Sequence, residues 1–205
     1  MISEQLIIFT RYPEPGKAKT RLIPVLGKEG AANLHRLMAQ RTIANARSLQ
    51  NYRPLSIAIH YTGSSHQLMQ DWLGTNMIYH QQSEGDLGTR MSAAFQTSFN
   101  LGIDKVAIIG TDCPKLKPDI IAKAFDELSD RDVVLGPAKD GGYYLIGLRR
   151  TIPELLHGIQ WGTSAVFSDT VAIAKKLDLS IAVLPILTDI DRPEDLLGLD
   201  LNILE

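Results

Sequence analysis

Four cations and a glycine crowd into one short stretch, Arg11-Tyr12-Pro13-Glu14-Pro15-Gly16-Lys17-Ala18-Lys19-Thr20-Arg21-Leu22. The side chains of Arg11, Lys17, Lys19 and Arg21 are donors suited to phosphate oxygens, and Gly16 lets a ligand come close to the backbone. The stretch follows an apolar run, Leu6–Thr10, that reads as a buried first strand. Ligands of open α/β sheets bind just beyond such strand ends, so phosphate binding is the chemistry expected here, against the alternative of a solvated basic loop. It is not a Walker A loop, because Arg11 stands where the first glycine would be and Ala18 replaces the Ser or Thr. The G-x-G-x-x-G dinucleotide pattern is absent as well.

Two acidic segments could complement that loop. Gly110-Thr111-Asp112-Cys113-Pro114 follows the strand-like run Val106–Gly110, which would hold the Asp112 carboxylate at the ligand edge of a sheet. There it could ligate Mg²⁺ or Mn²⁺ or simply cap the following turn. In Thr188-Asp189-Ile190-Asp191-Arg192-Pro193-Glu194-Asp195, Asp189 and Asp191 are two residues apart, so an extended chain turns both to one side. Paired carboxylates repel unless a cation neutralises them, which makes a metal a natural partner. Asp191-x-x-Glu194 also has the spacing of a capping box, so both roles stay open for Asp191.

Three further segments offer walls for a substrate. Asp140, Gly141, Gly142 and Tyr143 form a turn beside Lys139, and Asp-Gly-Gly is equally a good hairpin turn. Asp86, Gly88 and Arg90 open a helical pattern whose N-terminus could receive an anion or the edge of a base. Thr163 and Ser164, after Trp161-Gly162, could do the same. His35, His60, His66, His80 and His157 show no metal spacing, Cys113 has no base beside it, and G-x-S-x-G is missing.

The elements that must position these groups alternate between short apolar strands and longer helical patterns, the signature of βαβ units. Strands are expected at Leu6–Thr10, Leu55–Tyr61, Met77–His80, Val106–Gly110, Val133–Pro137, Tyr143–Leu148 and Ile181–Pro185. Helices are expected at about Glu29–Leu49, His66–Leu73, Gly88–Leu101, Pro118–Leu128 and Ala165–Leu177, with a short apolar helix closing the chain. The closeness of the fifth and sixth strands predicts an antiparallel pair and hence a mixed sheet. No linker, repeat or low-complexity segment interrupts residues 1–205, so one domain is expected.

The bulk numbers narrow the partners. A net charge of −2 gives no global attraction to nucleic acid or anionic membrane. No stretch approaches the roughly 20 apolar residues of a membrane helix, and the opening Ile2-Ser3-Glu4-Gln5 shows no basic region followed by a long apolar one, so no secretory leader is expected. One cysteine excludes an internal disulfide framework and fits a reducing compartment, so a cytoplasmic protein is expected.

Taken in order, Lys17-x-Lys19-Thr20-Arg21-Leu22, Gly110-Thr111-Asp112-x-Pro114, Asp140-Gly141-Gly142-Tyr143-Tyr144-Leu145 and Asp189-Ile190-Asp191-x-Pro193-Glu194-Asp195-Leu196 resemble an uncharacterised glycosyltransferase-like family. That family belongs to the nucleotide-diphospho-sugar transferase (GT-A) superfamily and is similar to the phospholactate and molybdenum-cofactor guanylyltransferases. The resemblance implies a Rossmann-like GT-A fold: three α/β/α layers around a mainly parallel, mixed sheet, with the nucleotide over its first half and the acceptor over its second. It also implies phosphate contacts from Lys17, Lys19 and Arg21, and Mg²⁺ or Mn²⁺ on Asp112 with Asp189 and Asp191. The first loop departs from the glycine-rich stretch of the sugar-nucleotide pyrophosphorylases, because Arg11–Gly16 is proline-rich. A metal-dependent transferase is expected, moving a nucleotidyl group from an NTP to a small phosphorylated or carboxylated acceptor. Glycosyl transfer from a nucleotide sugar is the alternative, and a catalytically idle nucleotide-binding module a further one.

Overall fold

The computed structural model describes residues 3–199. Seven strands form one sheet in these residues: β1 (Glu4–Arg11), β2 (Leu55–Thr62), β3 (Ile78–Gln81), β4 (Lys105–Ile109), β5 (Val133–Pro137), β6 (Tyr143–Leu148) and β7 (Ile181–Val183). Their spatial order is β3-β2-β1-β4-β6-β5-β7, and only β6 runs antiparallel to its neighbours. The expected mixed, mainly parallel sheet is present, and the β5–β6 hairpin turns through Ala138–Gly142 as its Asp-Gly-Gly predicts.

Five helices cover the sheet: α1 (Ile23–Leu49), α2 (His66–Leu73), α3 (Leu87–Asn100), α4 (Pro118–Glu127) and α5 (Val166–Lys176). Apart from the edge strands β3 and β7, the strands are buried on both faces, and their side chains alternate between two cores. Leu6 and Ile8 of β1, with Ala107 and Ile109 of β4, pack on Ile43, Met69, Ile121 and Phe125 of α1, α2 and α4. Ile7, Val106 and Ile108 face the other way, toward Met91 and Phe95 of α3 and Ala174 of α5. Helices on both faces of one sheet give the three-layer α/β/α architecture that was expected.

Three local readings are corrected. The first strand runs two residues further at its start and one further at its end than Leu6–Thr10, because pairing with β2 and β4 continues from Glu4 and reaches Arg11 on the β2 side. The first helix begins at Ile23 rather than near Glu29, with a break at Gly27 (φ 70°) that leaves one extra turn packed by Leu22 and Ile23. The capping acid of the last segment is Asp195, whose carboxylate accepts from the backbone N–H of Asp191 (3.0 Å) and Arg192 (2.7 Å). A 3₁₀ helix, Pro193–Gly198, follows that cap. The rest of the expected closing helix lies outside the described residues.

Candidate functional site

The loops that carry the predicted groups leave the C-terminal ends of β1 and β4 and meet the segment before the last 3₁₀ helix. Ile190 explains the meeting: its side chain enters a small core with Leu22, Ala31, Leu34 and Met38. Its N–H donates to the carbonyl of Asp112 at 2.9 Å. With Ile190 anchored inward, Asp189 and Asp191 turn to the opposite side, as alternation requires. One backbone bond therefore places the late carboxylates beside the β4 loop.

Lys19 is the centre of the cluster. Its ammonium lies 2.8 Å from Asp112 Oδ1 and 3.5 Å from Asp191 Oδ1, and only 4% of its side chain is exposed. Burial alone would lower the pKa of this ammonium, but Asp112, Asp191 and Asp189 outweigh it and raise it. Lys19 also sits in left-handed backbone (φ 48°, ψ 47°), which for a residue with a Cβ costs about 1 kcal/mol. Strain of this kind persists where surrounding contacts over-determine it, and here the two ion pairs do so. Arg21 Nη1 donates to Asp191 Oδ2, so both oxygens of that carboxylate face cations. Burial would raise the Asp191 carboxyl, but Lys19 and Arg21 prevail and hold it below the usual range.

Asp189 is the opposite case. It is half-buried, and burial together with nearby Asp140 and Asp195 raises its carboxyl. Among the described residues no lysine, arginine or histidine forms an ion pair with Asp189 or Asp140. The site thus carries an acidic side that its own cations do not neutralise.

Three hollows run along this edge of the sheet. The first, about 450 Å³, lies over β1, β4 and β6 and is bordered by Phe9, Arg11, Thr62, Gln82, Arg90 and Asp112. The second, about 270 Å³, holds Asp112, Asp140, Asp189, Tyr143, Trp161 and Thr163. The third, about 740 Å³, has a mixed rim: the cations Arg21, Lys115, Lys139 and Arg192 stand among the acids Asp140, Asp189, Asp191, Glu194 and Asp195. Asp112 and Tyr143 border both the first and second hollows, and Asp140, Thr163 and Asp189 border both the second and third. They form one continuous trough.

The predicted residues fall differently along it. Arg11 borders the first hollow and donates to the Lys17 carbonyl at 3.2 Å, while Gly16 has φ 82°, and a Cβ there would meet the stem of Lys28 at 3.6 Å. Lys17 stands outside, exposed and paired with Glu14 at 2.9 Å. Asp86 caps α3, accepting from Thr89 N–H at 2.8 Å, and Arg90 reaches back to the Gly85 carbonyl at 2.9 Å. Gly88 is buried, and a Cβ there would come within 2.0 Å of the Leu156 carbonyl, so its place is set by packing. Gly141 (φ 92°) has no room for a side chain either, since a Cβ would lie 2.2 Å from the Ser164 carbonyl. That close approach, with Phe167 N–H donating to the Gly141 carbonyl at 2.9 Å, brings the hairpin turn against Thr163 and Ser164. Gly142 completes the turn by donating to Asp140 Oδ1 at 2.8 Å, and Tyr143 stands edge-on to Trp161.

Residues not singled out from sequence complete the picture. His35 of α1 bonds the Arg11 carbonyl through Nε2 at 2.9 Å and props the loop, and burial lowers its pKa. Lys115 and Arg192 join the cations of the mixed rim, where Lys115 had only its place three residues after Asp112 as a signal.

A divalent cation fits this donor set in one manner. Among the described residues no three Asp, Glu, His or Cys groups converge tightly enough to hold a metal by themselves. Mg²⁺ commonly takes only one or two carboxylates and completes its shell with water and phosphate oxygens. Asp112 and Asp189 border one hollow, so they suit a metal that is shared with a bound nucleotide.

Comparison with known proteins agrees with this geometry. Residues 45–163 match the model of a family described as uncharacterized protein conserved in bacteria (DUF2064). The chain belongs to that family. A crystal structure of a presumed nucleotide-diphospho-sugar transferase from Desulfovibrio desulfuricans G20 is 35% identical, with a TM-score of 0.89 over 96% of this chain and 85% of that one. The 4-diphosphocytidyl-2C-methyl-D-erythritolsynthase of Anaerococcus prevotii DSM 20548 superposes over the whole of both chains with a TM-score of 0.62 at 10% identity. Glucosyl-3-phosphoglycerate synthase of Mycobacterium tuberculosis, in complex with Mn²⁺, UDP and glucosyl-3-phosphoglycerate, gives a TM-score of 0.56 at 12% identity, over 96% of this chain and 75% of that one. No curated protein matches significantly in sequence. The family member thus has the GT-A-like fold shared by nucleotide-sugar transferases and nucleotidyltransferases. Among its described residues no helix is long and apolar enough to cross a membrane.

Proposed function

We propose that this family member is a single-domain, cytoplasmic, metal-dependent transferase that moves a nucleotidyl group from an NTP to a small anionic acceptor. One observation carries the reading: Asp112, with one oxygen on Lys19, and Asp140 and Asp189, with no cationic partner among the described residues, lie between one hollow beside the β1 loop and another whose mixed rim carries four cations. The first hollow suits the nucleoside and the third a phosphorylated or carboxylated acceptor, whose charge Lys115, Lys139, Arg192 and Arg21 would meet. When bound at Asp112 and the Asp189–Asp191 segment, Mg²⁺ or Mn²⁺ neutralises charge on the phosphates. The likeness to a glycosyl-transferring neighbour that carries Mn²⁺ supports a divalent ion, and the 35% identical relative supports a nucleotide donor.

The chain's own groups do the rest. Lys19 fixes Asp112, while Arg21 on the rim, now on Asp191, and the exposed Lys17, now on Glu14, would exchange those partners for the leaving phosphates. Arg11 and Arg90 border the nucleoside side, and the Gly141–Ser164 contact shapes the acceptor side. The acceptor oxygen forms a bond to the α-phosphorus while the bond to pyrophosphate breaks, and pyrophosphate departs with the electron pair. Such a transfer needs positioning and charge stabilisation more than covalent help.

Glycosyl transfer from a nucleotide sugar is the second reading, favoured by the name of the 35% identical relative. Thermal unfolding with each NTP and with nucleotide sugars, with and without Mg²⁺, separates the two. A ligand at about a hundred times its Kd adds about 2.7 kcal/mol, several degrees in a chain of this size. Metal-dependent stabilisation by triphosphates alone supports nucleotidyl transfer, and stabilisation by nucleotide sugars supports the second reading. No response to either overturns both.

A further inference from the structure

The number of metal ions the site takes can be read from which carboxylate oxygens are already engaged, on the functional reading above. Asp191 has none free: Oδ1 faces Lys19 Nζ at 3.5 Å and Oδ2 accepts from Arg21. Asp112 gives one oxygen to Lys19 and keeps the other. Asp189 has no cationic partner among the described residues and borders the same hollow as Asp112.

Lys19 is poorly placed to withdraw. Its side chain is 96% covered, its backbone is in the left-handed region, and Leu22 N–H donates to its carbonyl at 2.9 Å, closing the turn behind it. A divalent ion bridging Asp112 and Asp191 would have to sit against that ammonium, and two cations in contact in a partly buried site repel strongly. We infer that the site takes one divalent cation, on Asp112 and Asp189. Lys19 occupies the place of a second, and Asp191 is a positioning residue that holds Lys19 and Arg21. The site has a built-in monovalent cation where a two-metal site would have another ion, and the side of Asp112 and Asp189 that faces the hollow is left for exchange with solvent.

Counting bound Mn²⁺ by electron paramagnetic resonance, with the metal alone and the intact chain, tests this without turnover. The wild type saturates at one Mn²⁺. Asp189→Asn weakens that ion by more than about a hundredfold, beyond what loss of an outer partner costs, whereas Asp191→Asn stays within the roughly 10–100-fold of such a partner. Lys19→Met opens the Asp112–Asp191 pair, and the count rises to two. Two ions in the wild type overturn the inference and leave the nucleotidyl-transfer reading standing, as does an Asp191→Asn loss equal to that of Asp189→Asn. A count of one in folded Lys19→Met also overturns it. If Lys19→Met does not fold, the two aspartate variants still decide. No bound Mn²⁺ in the wild type removes the inference, and only the additional absence of any nucleotide-induced thermal shift removes the functional reading with it.

Discussion

The two ends of the central sheet each carry an ion cluster, and they are built on opposite principles. At the N-terminal end, Glu4 takes two hydrogen bonds from Arg53, one of them at 3.0 Å, and a third from Lys105 at 3.4 Å, while Arg53 also bonds Asp126 at 2.7 Å. Two acids face two bases, and Arg53 further stacks over the Phe125 ring. Burial works against the Glu4 carboxylate, but Arg53 and Lys105 outweigh it and hold its pKa down. At the C-terminal end, among the described residues, Lys19 and Arg21 form the direct ion pairs, with Asp112 and Asp191, while Asp140 and Asp189 have none and Asp189 is pushed up by burial and like charge. A closed cluster is what a stabilising network needs. An open one, in strained backbone and beside a trough, is what a ligand completes. The two ends should therefore answer mutation in opposite ways.

The largest contrast is expected at Asp189. Asn there removes a carboxylate assigned above to the divalent ion that meets the phosphates, so kcat falls by about 10²–10³-fold, the scale for losing one preorganised electrostatic group. Stability moves the other way. A carboxyl whose pKa is raised in the fold is ionised at a cost at pH 7, so the neutral amide raises the melting temperature. A variant that keeps full turnover, or one that loses both activity and stability, would put Asp189 in the structural class with Glu4.

Glu4→Gln should give the mirror image. It strands Arg53 and Lys105, which are mostly covered, and breaking a buried pair on one side costs about 3 kcal/mol, the low end of the range because both keep some water. Denaturant titration reads that loss, while kcat at a temperature where the variant is folded stays at the wild-type value. Loss of activity in the folded variant would contradict the division between the ends.

Much of this division was legible in the chain itself. The presence and order of the strands, though not all their ends, the hairpin through Asp140–Gly142 and the carboxylate after β4 follow from local pattern, since strand alternation and turn chemistry act over a few residues. The direction of Lys19 does not. Four cations in one loop look alike in sequence, and what turns Lys19 inward while Lys17 stays outside is a left-handed turn and two carboxylates about 90 and 170 positions away. The capping role passed from Glu194 to Asp195 for a similar reason, because Arg21 and Lys19 claim Asp191 from outside the segment. His35 was unreadable too, since its partner is a backbone carbonyl on another element.

A smaller effect lies between the two ends, where His60 stacks on Phe9 at 5.6 Å and approaches His80 at 5.0 Å. Burial, then the neighbouring His80, lowers its pKa to about 4. Below pH 6.5 the unfolded chain binds a proton that the native one refuses, so stability falls with pH, reaching about 2 kcal/mol by pH 5. His60→Phe should flatten the acid limb of the stability curve between pH 6.5 and 4. Superposable limbs for variant and wild type would show that His60 is protonated in the fold.

The smallest effect is expected at Lys17, and it tests whether the loop's outer cation belongs to the open cluster or only to the surface. Its pair with Glu14 is exposed at both partners, so Lys17→Ala should leave the melting temperature within about a degree, since such pairs contribute at most about 1 kcal/mol. If the side chain turns to phosphate when nucleotide binds, KM for the nucleotide rises by about tenfold or less with kcat nearly constant. That rise shrinks with added salt, because an exposed cation acts through screened charge. A salt-independent loss of kcat would instead place Lys17 at the reacting phosphates, inside the cluster that Lys19 and Arg21 anchor.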